Sequence, residues 1–136
     1  MEKFLKVNVV AGVVIEKDDK FLLVQEKKPK CYGQWNLPAG RVEEGFSIEE
    51  TAVKEAKEET GFDVELLEKI AVFHDKLEYP VMHAFKAKIV GGELNFPKEE
   101  LLDARWFSFE EIEAMKDKLR GNWVLESIKK ALKKND

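Results

Sequence analysis

Gly40–Phe62 reads GRVEEGFSIEETAVKEAKEETGF. Ser47 followed three residues later by Glu50 is a capping box, in which each side chain satisfies a backbone N–H of the other, and it sets a helix start near Ile48. Gly61 stands where a helix end takes a left-handed residue, so the helix runs for about thirteen residues. Ile48, Ala52 and Ala56 form a narrow stripe of apolar and small side chains suited to close approach against a sheet. Beside it, Glu55, Glu58 and Glu59 are spaced i, i+3 and i+4 and fall within an arc of roughly 100°. Three like charges held that close repel one another. A hard divalent cation relieves the repulsion, because Mg2+ takes carboxylate oxygens and keeps waters and substrate phosphates in its other positions. Taken alone, the three glutamates read equally as a solvated acidic helix face.

Working outward, Asn36-Leu37-Pro38-Ala39-Gly40 is a rigid exit from a strand into a loop, with a flexible glycine at its end. Together these residues resemble the signature of the Nudix hydrolase family, G-x5-E-x7-R-E-U-x-E-E-x-G-U with U a bulky apolar residue. Gly40 matches the first glycine, Glu55 the Glu of the R-E pair, Glu58 and Glu59 the E-E pair, and Gly61 the last glycine. Ala56 and Phe62 fall on the apolar positions, and Glu43 matches an extra Glu common in the loop. The resemblance extends to the G-x-W-x-L-P-A-G run from Gly33 to Gly40, an opening strand pair, and Arg105-Trp106-Phe107 ahead of a late helix.

Two positions depart from the pattern. Phe46 stands where the signature has its first Glu, and Lys54 where it has Arg. Lysine keeps the positive charge but not the planar fork that orients a carboxylate through two parallel hydrogen bonds. Phe46 precedes the cap at Ser47, the place of a hydrophobic staple whose partner would be Thr51.

The resemblance implies an α/β fold, an α/β/α sandwich with a mixed central sheet and the signature loop-helix-loop beside the cleft. It implies that Gly40 (through the adjacent backbone carbonyl), Glu55, Glu58 and Glu59 hold Mg2+, with Mn2+ able to substitute. Hydrolysis of a diphosphate bond in a nucleoside diphosphate linked to another group then follows, since the cation neutralises the phosphates and activates water. The base is Glu58, Glu59 or, as in some relatives, a Glu from the loop before the late strand. Glu100 is that candidate, with Glu99 its rival. Trp35, Phe85 and Tyr79 are candidates for stacking on the substrate base, although strand aromatics usually pack inward. Members acting on dinucleoside polyphosphates or ADP-ribose carry a Tyr or a Pro at about the place of Tyr79-Pro80, where this chain has both. The short single domain resembles members that act on nucleoside triphosphates. Two other classes stay open: a nucleotide-sensing module of weak turnover, which Phe46 and Lys54 favour, and an interaction domain without a metal.

A length of 136 residues, 44% of them hydrophobic, suits one domain spanning 1–136 with a proper core. A net charge of −4 argues against a nucleic-acid binder, which needs a basic face. Lys129, Lys130, Lys133 and Lys134 sit at a helix C-terminus, where cations oppose the dipole, and read as a solvated face. No run of about 18 apolar residues exists, so no membrane partner is expected. The opening MEKFLKVNVV lacks a signal-peptide core. Cys31, the only cysteine, permits no internal disulfide, fits a reducing cytoplasm and reads as a surface-loop residue. His74 and His83 are too far apart for a local zinc pair. The expected partner is a small nucleotide, with a homodimer also admitted.

The remaining pattern gives strands near 7–15 and 20–25 joined at Lys17-Asp18-Asp19, then 34–37, 64–74, 81–90 and 104–107. Gly91-Gly92 reads as a chain break. Ser108 and Glu111 form a second capping box, starting a helix from Phe109 to about Leu119. Asn122 caps a last amphipathic helix carrying Trp123, Ile128 and Leu132.

Overall fold

The computed structural model describes residues 3–133, so Lys134 of the basic tail lies outside the described residues. Strand β1 (Val9–Lys17) organises the sheet because it changes partners along one edge. Its first half pairs there with β4 (Ala39–Arg41) and its last residues with β2 (Lys20–Glu26). Along the other edge it runs parallel to β6 (Val81–Gly92) from Val9 to Ile15. β5 (Phe62–Phe73) closes that side, while β3 (Trp35–Asn36) and β7 (Leu101–Ser108) flank β2. β1–β6 is the parallel pair and the others are antiparallel, so the sheet is mixed. The β1–β2 turn uses Asp18 and Asp19 at φ of 53° and 63°, the doubly left-handed geometry that matches hairpin twist.

Both faces of the sheet are covered, as the two-sided apolar alternation requires. Ala11, Val13 and Ile15 of β1 and Leu22 and Val24 of β2 face α1 (Ile48–Thr60), where Ala52 and Ala56 are buried. The opposite residues, Val14, Phe21 and Leu23, pack with α2 (Phe109–Ala114) and α3 (Asn122–Lys133) through Ile112, Val124 and Ile128. Each large side chain so buried contributes about 1.5–3 kcal/mol of transfer free energy.

Three sequence expectations are corrected. Gly91-Gly92 does not break the chain but ends β6, paired with Asp63 and Phe62. Gly92 has φ 79° and leaves no room for a Cβ, which would run into the Gly61 carbonyl. The helix from Phe109 stops at Ala114 and gives way to a 3-10 turn over Lys116–Lys118, whose side chains bury nothing. Leu119 then extends to bridge Trp35, and the Arg120 N–H donates to the Trp35 carbonyl at 2.7 Å. Cys31 is not a surface residue. It is 5% exposed at the end of a 3-10 turn, Pro29–Cys31.

Candidate active site

The capping box forms as read: the Glu50 N–H donates to Ser47 Oγ at 3.0 Å and the Ser47 N–H to Glu50 Oε1 at 2.9 Å. Gly61 ends α1 at φ 83°, its N–H donating to the Lys57 carbonyl at 2.9 Å. Fixed at both ends and seated on Ala52 and Ala56, the helix turns its glutamate edge toward β4. There the packing is very close. Glu55 lies where a side chain on Gly40 would be, so a Cβ at Gly40 would collide with its carboxylate. Glu59 Oε1 accepts the Ala39 N–H at 3.1 Å. Glu58 reaches outward with its side chain 51% exposed, against 14% for Glu55. It borders an open cleft of about 420 Å3, lined also by Lys57, Gly61, Asn95, Phe96 and Pro97.

The electrostatics follow from this placement. Burial pushes the Glu55 carboxyl above its ordinary range, and the neighbouring Glu58 adds to the rise while Lys54 opposes it. Glu59 is raised well above that range, chiefly by burial, with the charges of Glu55 and Glu26 adding. The Ala39 N–H and Lys28 pull the other way. Lys54 Nζ stands 3.4 Å from Glu55 and 3.2 Å from Glu58, occupying the place of positive charge between them.

Sequence reasoning missed Glu26 and Lys28, which lie outside the signature at the end of β2 yet act on Glu59 through space. The Cys31 thiol donates to Glu26 Oε2 at 3.4 Å, and burial followed by that carboxylate raises the thiol pKa. Lys27 Nζ donates to the Lys98 carbonyl at 2.9 Å, tying the exit of β2 to the turn before β7. Glu99 and Glu100 are exposed on that turn. The aromatic candidates separate. Trp35, 7% exposed, packs edge-on against Phe107 on the α3 side, and Phe85, 4% exposed, lies in the core on the α1 side. Rings enclosed on opposite faces of the sheet offer no common stacking surface. Tyr79 is 40% exposed on the β5–β6 connection.

A protein-family model, the NUDIX domain, matches residues 6–126. The chain belongs to the Nudix hydrolase family. A Caenorhabditis elegans protein named as a nudix hydrolase is 37% identical over 131 residues, covering 93% of this chain and 36% of that protein. Human 8-oxo-dGDP phosphatase NUDT18 is 39% identical over 102 residues, covering 73% of this chain and 31% of that protein. The chain thus spans about a third of the length of these relatives. A Nudix hydrolase structure from Nitrosomonas europaea superposes with a TM-score of 0.83 at 30% identity, covering 93% of this chain and 88% of the other. The mixed sheet between helices is therefore the Nudix fold.

The Nudix signature implies a divalent cation, and the donor chemistry fits one. Glu59 is an enclosed carboxyl whose bonding partner is the backbone N–H of Ala39, and Glu55 is cradled by a residue without a side chain. Among the described residues, no three acidic, His or Cys side chains already converge as a metal-holding group. Among the described residues, no helix is long and apolar enough to cross a membrane.

Proposed function

We propose that the protein hydrolyses a diphosphate bond in a nucleoside diphosphate linked to another group, with nucleoside triphosphates as the favoured class and Mg2+ as the cofactor. One observation carries the reading: Glu55 and Glu59 are enclosed against Gly40 and Ala39 with Glu58 beside them at the cleft. Burial raises the proton affinity of both carboxylates, and a bound cation would oppose that rise. Glu55, Glu58 and Glu59 would hold the cation, with the backbone beside Gly40. When bound, Mg2+ supplies Lewis-acid polarisation of the phosphoryl oxygens. Gly40 leaves the carboxylates room, and Lys28 adds positive charge on the Glu59 side. Glu58 or Glu59 takes the proton of the attacking water, with Glu100 as the alternative base on the neighbouring turn. Of Trp35, Phe85 and Tyr79, the exposed ring is that of Tyr79.

The names of relatives point to the first substrates to try. They include 8-oxo-dGDP phosphatases and an 8-oxo-dGTP diphosphatase of Bacillus subtilis, 35% identical over 96 residues. The deciding experiment is a panel of canonical and 8-oxo-guanine nucleotides, ADP-ribose and dinucleoside polyphosphates, with product identification and Glu59→Gln as control. Mg2+-dependent release of phosphate or pyrophosphate, lost in the variant, is the expected result. Binding without turnover on any substrate would make the chain a nucleotide sensor instead.

A further inference from the structure

The two residues that depart from the signature touch each other. The Lys54 ammonium stands 5.4 Å from the centre of the Phe46 ring while reaching Glu58 at 3.2 Å and Glu55 at 3.4 Å. Phe46 does not act as a staple. It is 42% exposed, outside both cores, although its expected partner Thr51 is buried. What fixes it is the backbone: its N–H donates to the Glu43 carbonyl at 3.2 Å, after Gly45 at φ 91° and immediately before the cap at Ser47. A rigid turn therefore presents an aromatic face, and that face meets a cation.

A lysine alone is a poor substitute for the arginine of the signature. Its ammonium sits on a flexible stem and has no planar fork to set the direction of a carboxylate. An aromatic face attracts a cation through its quadrupole and narrows the positions that cation takes. We propose that Phe46 is a positioning residue: its ring pins Lys54 at the Glu55–Glu58 pair, so that ring and lysine together do the work of the arginine fork. This inference rests on the reading of Glu55, Glu58 and Glu59 as the metal-binding carboxylates. It also accounts for both departures at once, since a carboxylate at position 46 would draw Lys54 into a competing ion pair.

The test compares F46L, F46Y and K54R, and F46L combined with K54R, in the intact protein. Three quantities are read: the proton shifts of the Lys54 ε-methylene, Mn2+ binding to metal-free protein by electron paramagnetic resonance, and kcat and KM on the best nucleotide of the panel. In wild type the ε-methylene resonates upfield, and F46L abolishes that ring-current shift. F46L weakens Mn2+ binding and lowers kcat by about two- to fivefold, with KM unchanged. F46Y retains wild-type values, and in the K54R background F46L costs nothing, because a guanidinium no longer needs the ring. Equal losses from F46L in both backgrounds, or none in either, overturn the proposal. Wild-type Mn2+ binding that E58Q and E59Q leave untouched overturns the metal reading and the positioning role with it. The ε-methylene shift, read without metal, tells that failure apart from the absence of a Phe46–Lys54 contact.

Discussion

Gly40→Ala should separate activity from stability. Gly40 is not among the residues with positive φ, so its strand backbone accepts an alanine. The added methyl nevertheless falls on the carboxylate of Glu55. Restoring a contact near about 3.5 Å moves that carboxylate back by more than about 1 Å. The obstacle is the end of a flexible side chain, so rotation relieves most of the overlap. Overpacking of about 1–3 kcal/mol is partly offset by about 0.4–1 kcal/mol from a stiffer unfolded chain. A 1 Å displacement at a reacting centre costs about 100-fold in rate. The expectation is therefore a melting temperature within a few degrees of wild type and kcat reduced about 100-fold. Thermal melts by circular dichroism beside steady-state kinetics at saturating Mg2+ provide the check. A variant with kcat within about threefold of wild type would show that Glu55 need not sit against β4, and the geometric argument would fail.

Three further outcomes follow. With metal removed by chelation, the raised Glu59 pKa makes the folded state hold its proton longer than the unfolded chain. That stabilisation is complete below about pH 4.5 and is lost as pH rises through the higher folded value. Glu59→Gln should abolish this component, and denaturant titrations between pH 4 and 8 that fall in parallel for both proteins would contradict it. Ser47→Ala removes one arm of the capping box at a cost of about 1 kcal/mol, or roughly 4 °C in melting temperature, measurable by calorimetry. Cys31, buried and raised in pKa beside Glu26, should resist iodoacetamide at neutral pH until the protein is denatured. Mass spectrometry of the labelled native protein gives the answer.

What could be read in advance was what local chemistry specifies. The helix over Ile48–Thr60 was legible because its capping box and terminal glycine are written in contiguous residues. The glutamate spacing likewise placed three carboxylates along one edge. Glu26 and Lys28 were not legible, because they approach Glu59 only after β2 and α1 come together, and no local pattern encodes that contact. The same holds for the contact between Phe46 and Lys54, which stand eight residues apart as two separate departures from the signature. The end of α2 was missed for another reason: Leu119 favours bridging Trp35 over another helical turn, a tertiary demand that overrides helix propensity.

Strand β4 is only three residues long, yet it is sewn to β1 over its whole length, with the Val13 N–H donating to the Pro38 carbonyl and the Val42 N–H to Val9. The platform under Glu55 and Glu59 is thus woven into the sheet and is not a movable flap. Sequence changes in the 27–34 and 93–100 segments would leave the pairing of β4 with β1 in place.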